Sequence, residues 1–396
     1  MIKSISASRI LNSRGDYTIK VTVTTAGGEF EASVPSGASV GKHEAKPVEV
    51  KKAISNIEKI EKILIGRNEK RQRKIDQILI DLDGTEDKSR LGANTILAVS
   101  IAIARAGAAA NKTSLYRHLR KVFKKRVVGW EMPRPCFNVI NGGAHAGNKI
   151  DIQEFMIIPN MRSFKSNLSV GTDIYKKLKG VLKRRYGEQA TNLGDEGGFA
   201  PNASSGIEIL DLLKKAIGKR SIKIGLDVAA SEFFRSGKYK FEGKSWSREK
   251  LLAFYVDIVD KYPIEFIEDP YDQDDYDGFE MIVEKLGRKI TVVGDDLLVT
   301  NPERIKIAYH EESCNGIIIK PNQIGSVTET LEAIALAKKY KWQTIISHRS
   351  GDTLDDFIAD LAVAVGSEYI KSGAPARGER LAKYNRLLEI EEDLSK

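Results

Sequence analysis

Cysteine, long apolar runs and repeated aromatic residues are what this chain lacks. Two of its 396 residues are cysteine, Cys136 and Cys314. Two thiols cannot build a disulfide framework, and a reducing cytoplasm is the expected compartment. No apolar run approaches the ~20 residues that span a bilayer. No leader with a charged start and an apolar centre is read ahead of the first strand, so no membrane partner is expected. Aromatic residues make up 7% of the chain. They do not alternate with the basic cluster between Arg120 and Arg126 as they would on a platform for stacked bases. The net charge of +9 therefore reads as solvated helix faces, such as Lys176, Lys177, Lys183 and Arg184. No specific nucleic-acid partner is expected. Internal sequence repeats and low-complexity tracts are absent too.

What is present is size, core and a period. A chain of 396 residues exceeds one ordinary domain, even with about 250 residues given to a barrel. Hydrophobic residues make up 41%, enough for a sizeable core. Six polar residues recur through the second half: Asp227, Glu268, Asp295, Lys320, His348 and Lys371, with gaps of 41, 27, 25, 28 and 23. Each closes a short apolar run: KIGLD, EFIED, TVVGD, GIIIK, TIISH and EYIK. Helical periodicity follows most of these runs. Buried parallel strands read as continuous apolar runs, so this is the pattern of a (β/α) barrel. Residues at the C-terminal strand ends of such a barrel meet at one mouth. Three carboxylates and two lysines there describe a divalent-metal site facing an amine base.

The predicted architecture is α/β. Residues 1–127 form an N-terminal α+β domain: a three-stranded antiparallel meander over 2–11, 18–25 and 29–34, with a tight hairpin turn at Gly27-Gly28, then helices at about 55–64, 69–82, 92–110 and 114–125. The basic stretch RKVFKKR, with Pro133 and Pro135 beyond it, marks a boundary. Residues 134–396 form the TIM-like barrel. Its first segment, 137–158, reads as two strands around a glycine-rich loop, and residues 378–394 as a closing helix.

The motifs carry a family resemblance along nearly the whole chain. In order they are ILNSRGDYT (10–18), VPSGASVGKHEA (34–45), LDGTEDKSRLGANTILAVS (82–100), NGGAHAGN (141–148), QEF (153–155), GDEGGFAPN (194–202), IGLDVAASEF (224–233), IEDP (267–270), GDDLLVTN (294–301), KPNQIG (320–325), SHRSGDT (347–353) and KSGAPARGERLAKYN (371–385). The chain resembles the enolases. That resemblance implies a capping domain on a barrel whose first units depart from the simple parallel pattern. It also implies dehydration of 2-phosphoglycerate to phosphoenolpyruvate, with a lysine base and two Mg²⁺ per active site.

By resemblance, each residue has a role. Asp227, Glu268 and Asp295 are hard oxygen donors suited to Mg²⁺, and Ser39, between Gly37 and Gly41 in a lid, completes the second ion. Lys320 is the base. Its pKa has to fall from about 10.4, and neighbouring metal charge and Lys371 would depress it. Lys371 holds the substrate carboxylate. Glu196 is the acid for the departing hydroxyl. Glu154 beside it keeps a proton in the pair, because two close carboxylates do not both ionise cheaply. His348, Arg349 and Ser350 form a phosphate clamp, with Arg349 offering a bidentate fork. His145 sits in a loop that could close over the substrate. Asp269 and Asp296 support the metal ligands. A homodimer, or an octamer built from dimers, is implied. Asn12, Tyr17, Val40 and Leu354 depart from the family pattern at positions with none of these roles. Two alternatives are another enzyme of the same superfamily and a copy retained only for binding.

Overall fold

The computed structural model describes residues 1–37 and 41–396. Strands β1 (Ile2–Leu11), β2 (Tyr17–Thr25) and β3 (Gly28–Ser33) form the antiparallel meander. Alternation along β2 puts Ile19, Val21 and Val23 in the core, because successive side chains of a strand point to opposite faces. The β2–β3 turn lies at Ala26-Gly27, one residue earlier than read: Thr25 pairs with Gly28, which opens β3. Helices Val50–Leu64, Gln72–Asp83, Ala93–Ala110 and Leu115–Phe123 follow. Ala93–Ala110 is long and apolar enough to cross a membrane by composition, but 78% of it is buried inside the fold. It is the core helix against which the meander packs.

The second domain is a closed barrel. Its strands are β4 (Arg134–Asn141), β5 (Glu154–Ile158) and β6 (Lys223–Asp227), then β10 (Ile264–Glu268), β11 (Thr291–Gly294), β12 (Gly316–Ile319), β13 (Gln343–Ser347) and β14 (Tyr369–Lys371). Around the barrel the order is β10-β11-β12-β13-β14-β4-β5-β6. β5 runs antiparallel to both β4 and β6, and the other pairs are parallel. This irregularity matters for the site. Glu154 is the first residue of β5, yet it pairs with Asn141 and Asp227, the last residues of β4 and β6. Reversing one strand brings its N-terminal end to the mouth where the C-terminal ends of its neighbours lie.

Between β6 and β10 lies a small sheet that the sequence reading did not anticipate: β7 (Phe234–Arg235), β8 (Lys238–Phe241) and β9 (Lys244–Trp246). Two-residue turns join its strands, Ser236-Gly237 and Glu242-Gly243, all four residues at positive φ. Such turns suit the strand twist of a hairpin. Tyr239 and Phe241 bury themselves against Phe233, which gives so small a sheet an apolar face.

The barrel interior holds its own apolar cluster of Cys136, Met156, Ile158, Phe266, Val293, Ile318, Ile345 and Tyr369. Cys136 and Cys314 are both buried free thiols. Gly225 on β6 pairs with Phe266 on β10, and a methyl group at Gly225 would lie 2.5 Å from the Phe266 ring. The glycine is there because the phenylalanine fills its space. Gly225→Ala is expected to destabilise the protein by about 1–3 kcal/mol through overpacking. A lowered midpoint in urea at unchanged slope checks this, and an unaltered midpoint would show that the ring moves aside freely.

Candidate active site

The strand-end residues converge as the spacing implied. Asp227, Glu268 and Lys371 are the last residues of β6, β10 and β14, and Asp295, Lys320 and His348 come directly after β11, β12 and β13. One cavity is lined by His145, Glu154, Glu196, Asp227, Asp295 and Lys320, together with His348, Arg349, Ser350 and Lys371. Glu268 joins them through Lys371. Ser39 and Val40 lie outside the described residues. In the barrel order, β12 and β5 are four strands apart of eight, so Lys320 and Glu154 face each other across the mouth. Asp227, Glu268 and Asp295 occupy the three successive strands between them on one side.

Charge pairing dominates the geometry. The Lys371 ammonium lies 3.0 Å from Asp227 Oδ2, 2.8 Å from Glu268 Oε2 and 3.2 Å from Glu154 Oε1. Burial alone would push this lysine down, but Asp227, Glu154 and Glu268 outweigh it and hold it well above its ordinary value. Lys320 Nζ pairs with Asp295 Oδ2. Burial, Arg349 and Lys371 all push Lys320 down, but the Asp295 carboxylate against it leaves its pKa raised. The expected fall invokes metal charge beside the lysine as well as Lys371.

The carboxyl pair is shifted in opposite directions. Glu154, Glu196 and His145 have ligand atoms within 4.8 Å of one another. Burial and the Glu196 charge push Glu154 well above its ordinary value. Burial also pushes Glu196 up, but His348, His145 and Arg380 outweigh it and leave it well below. The proton retained by the pair therefore rests on Glu154.

Arg380, which sequence reasoning missed, explains the asymmetry. Its side chain is fully buried. Nη1 donates to His348 Nδ1 at 2.7 Å and to the Arg349 carbonyl at 2.6 Å, and Nη2 donates to the carbonyls of Ser350 at 2.6 Å and Asp195 at 3.1 Å. Arginine has no acceptor to offer, so Nδ1 must accept and the imidazole proton sits on Nε2. That Nε2 lies 3.3 Å from Glu196 Oε2. Burial pushes His348 down to about 4, so the ring is neutral and its Nε2 lies beside the Glu196 carboxylate. One guanidinium thus ties the SHRSG and GDEGG loops together. The sequence signal was an arginine inside GERLAKYN, at the start of a helix.

Arg349 has its fork on Glu44, at 2.9 and 3.0 Å. Glu44 belongs to the N-terminal domain, so that domain forms part of the wall of the site. Ser36 and Gly351 form a two-way backbone bridge at 2.8 and 2.9 Å. Asn12 explains one family departure. Its amide accepts from the N–H groups of Arg14 and Asp16 and donates to Ser36 Oγ at 2.8 Å. An acid could not make that donation. Tyr17 is exposed beneath the Arg9 guanidinium, and Leu354 is exposed.

The oxygen-rich donor set fits a hard divalent cation. Asp227, Glu268 and Asp295 each take an ammonium partner here, which shows how strongly these buried oxyanions require positive charge. Asp269, Asp295 and Asp296 also bring ligand atoms within 4.8 Å of one another. Asp269 accepts the N–H groups of Asp295 and Asp296, both at 2.8 Å, and so fixes the turn that aims Asp295 at the mouth.

Residues 129–396 match the family model "Enolase, C-terminal TIM barrel domain", and residues 2–119 match "Enolase, N-terminal domain". The chain belongs to the enolase family. Enolase B of Dictyostelium discoideum is 47% identical over an alignment of 424 positions, which covers 100% of this chain and 95% of that protein. The family's reaction, dehydration of 2-phosphoglycerate to phosphoenolpyruvate by a hydro-lyase, is the reaction of this chain. Arg380→Lys keeps a charge but cannot serve His348 and three carbonyls together. It is expected to lower kcat by roughly 10–100-fold, as for other partners that orient a functional histidine. Steady-state assays on variant protein with wild-type circular dichroism check this, and a kcat within twofold of wild type would rule out the positioning role.

Proposed function

We propose that Lys320 removes the C2 proton of 2-phosphoglycerate and that the Glu154/Glu196 pair protonates the departing C3 hydroxyl. The C2–H bond breaks first, its electrons pass to the carboxylate, and the proton goes to Lys320. The C3–O bond then breaks, and hydroxide leaves as water with the proton of the carboxyl pair. The observation that carries this reading is the placement of base and acid across one barrel mouth, which suits removal and delivery on opposite faces of a substrate between them. Lys320 acts only as the free amine. Asp295, its partner here, is thus the charge that must be engaged elsewhere before the base can work. Mg²⁺, two per site and held by Asp227, Glu268 and Asp295 with Ser39 at the second, supplies positive charge for the aci-carboxylate dianion.

Lys371 orients the substrate carboxylate, and His348, Arg349 and Ser350 receive the phosphate, with His145 closing beside the acid pair. Residues 1–127 act as the capping domain and 134–396 as the barrel. The expected setting is the cytoplasm, and the expected assembly a homodimer or an octamer of dimers.

The test is proton NMR of 2-phosphoglycerate in D₂O with Mg²⁺. Lys320→Ala is expected to abolish both dehydration and C2 exchange. Glu196→Gln and Glu154→Gln are expected to slow dehydration by on the order of 10²–10⁴-fold while C2 exchange persists. Wild-type exchange by Lys320→Ala would assign the base to another residue, and normal turnover by both glutamine variants would remove the pair from the mechanism. Chelator should abolish activity, and Asp295→Asn should weaken Mg²⁺ binding severely through loss of an anionic ligand. Full activity in excess chelator would sink the metal assignment.

A further inference from the structure

A second cavity, of about 720 Å³, opens on the N-terminal domain and shares no lining residue with the barrel mouth. Two segments far apart in sequence build it. One supplies Arg67, Lys70, Arg71 and Lys74, and the other Lys121 and Lys124. All six are exposed, and among the described residues none has an ion-pair partner. A seventh cation, Arg73, is paired with Glu332 at 2.7 Å. The lining contains no aspartate or glutamate. The fold therefore gathers positive charge that looked dispersed along the sequence, and the Arg120–Arg126 cluster faces a partner segment. Like charges around one groove repel one another, and a bound anion reverses that penalty.

The lining also says what kind of anion fits. Its apolar residues are Ile75, Ile78 and Val122, and its one ring is the His118 imidazole, with no Phe, Tyr or Trp, so successive stacked bases have no platform. The volume lies in the range of small-ligand sites. The helix Gln72–Asp83 begins at the groove without a side-chain cap at its N-terminus, which adds free amide donors to the same positive field.

We propose that this groove binds a short, linear oligophosphate through its phosphate groups, independently of the barrel mouth. The probe is inorganic tripolyphosphate, titrated calorimetrically into the full-length, metal-free protein at about 0.15 M salt, where long-range attraction is largely screened. One-to-one binding is expected. Arg71→Glu/Lys74→Glu should weaken it about tenfold or more, since two charge-assisted contacts are lost. Lys176→Glu/Lys177→Glu, the same change of net charge on an exposed helix face, should leave it intact. Both double variants should turn over 2-phosphoglycerate as wild type does, which shows that they fold. Equal weakening in both would reduce the effect to net charge. Wild-type affinity in Arg71→Glu/Lys74→Glu would place the anion at the barrel mouth instead. No binding at all, or binding of a single-stranded RNA homopolymer without tripolyphosphate, would also overturn the proposal.

Discussion

The mouth of the barrel buries more charge than water would tolerate losing, and the rest of the molecule is arranged to neutralise it. Glu154, Glu196, Glu268 and Lys371 are each 2% exposed or less. An unpaired ion at such depth costs several kcal/mol even after relaxation. Lys371 answers this for the carboxyl cluster of Asp227, Glu268 and Glu154, in which burial and neighbouring charge push Glu154 and Glu268 up. Lys320 answers it for Asp295, and Arg380 with His348 for Glu196. The strand ends supply the charges. The reversed strand β5 is needed because a parallel strand would carry Glu154 to the opposite end of the barrel.

The N-terminal domain is held by the same demand. Arg349 is as buried as the acids, and its counter-charge, Glu44, comes from the other domain. Two more interdomain anchors repeat the device. Arg105 forks onto Asp355 at 2.6 and 2.8 Å. Asp76, fully enclosed, accepts from the N–H of Thr328, the hydroxyl of Ser100 and the amide of Gln72. Asp76 lies on a helix of the first domain, and Thr328 opens a helix of the second. The capping domain is therefore bound to the barrel by buried polar contacts with defined geometry, which hold Glu44 and Ser36 in one position relative to the strand ends.

The sequence showed the parts of this site that lie on regular elements and hid those that depend on the path of loops. An apolar run ending in a polar residue is a local signal, so Asp227, Glu268, Asp295, Lys320, His348 and Lys371 were legible from spacing alone. Glu154 and Glu196 lack that signal. One opens an antiparallel strand and the other sits in a loop, and only family motifs marked them. Arg380 and Glu44 were invisible as functional residues, because a charged residue in a helix or loop reads as solvated until its burial is known. The β7–β9 sheet was missed although its two Xaa-Gly turns were in view, since strands of two to four residues leave too short an alternation to read. The gathering of positive charge was hidden too, because Arg67–Lys74 and Lys121–Lys124 are distant in sequence and line one groove only in the fold.

The protonation states of the two sides proposed to move protons follow from their neighbours and oppose each other. Asp295 keeps Lys320 charged, while burial and Glu196 keep Glu154 neutral. A charged Lys320 can give a proton to C2 but cannot take one, so this arrangement matches the hydration direction at the base. At the acid it matches dehydration, because a neutral Glu154 has a proton to give. Only one of the two sides has to switch for either direction to run. The switch at Lys320 depends on where the Asp295 charge is spent, and the proton on Glu154 depends on Glu196 staying ionised under His348 and Arg380. Each group that moves a proton is thus set by the carboxylate beside it.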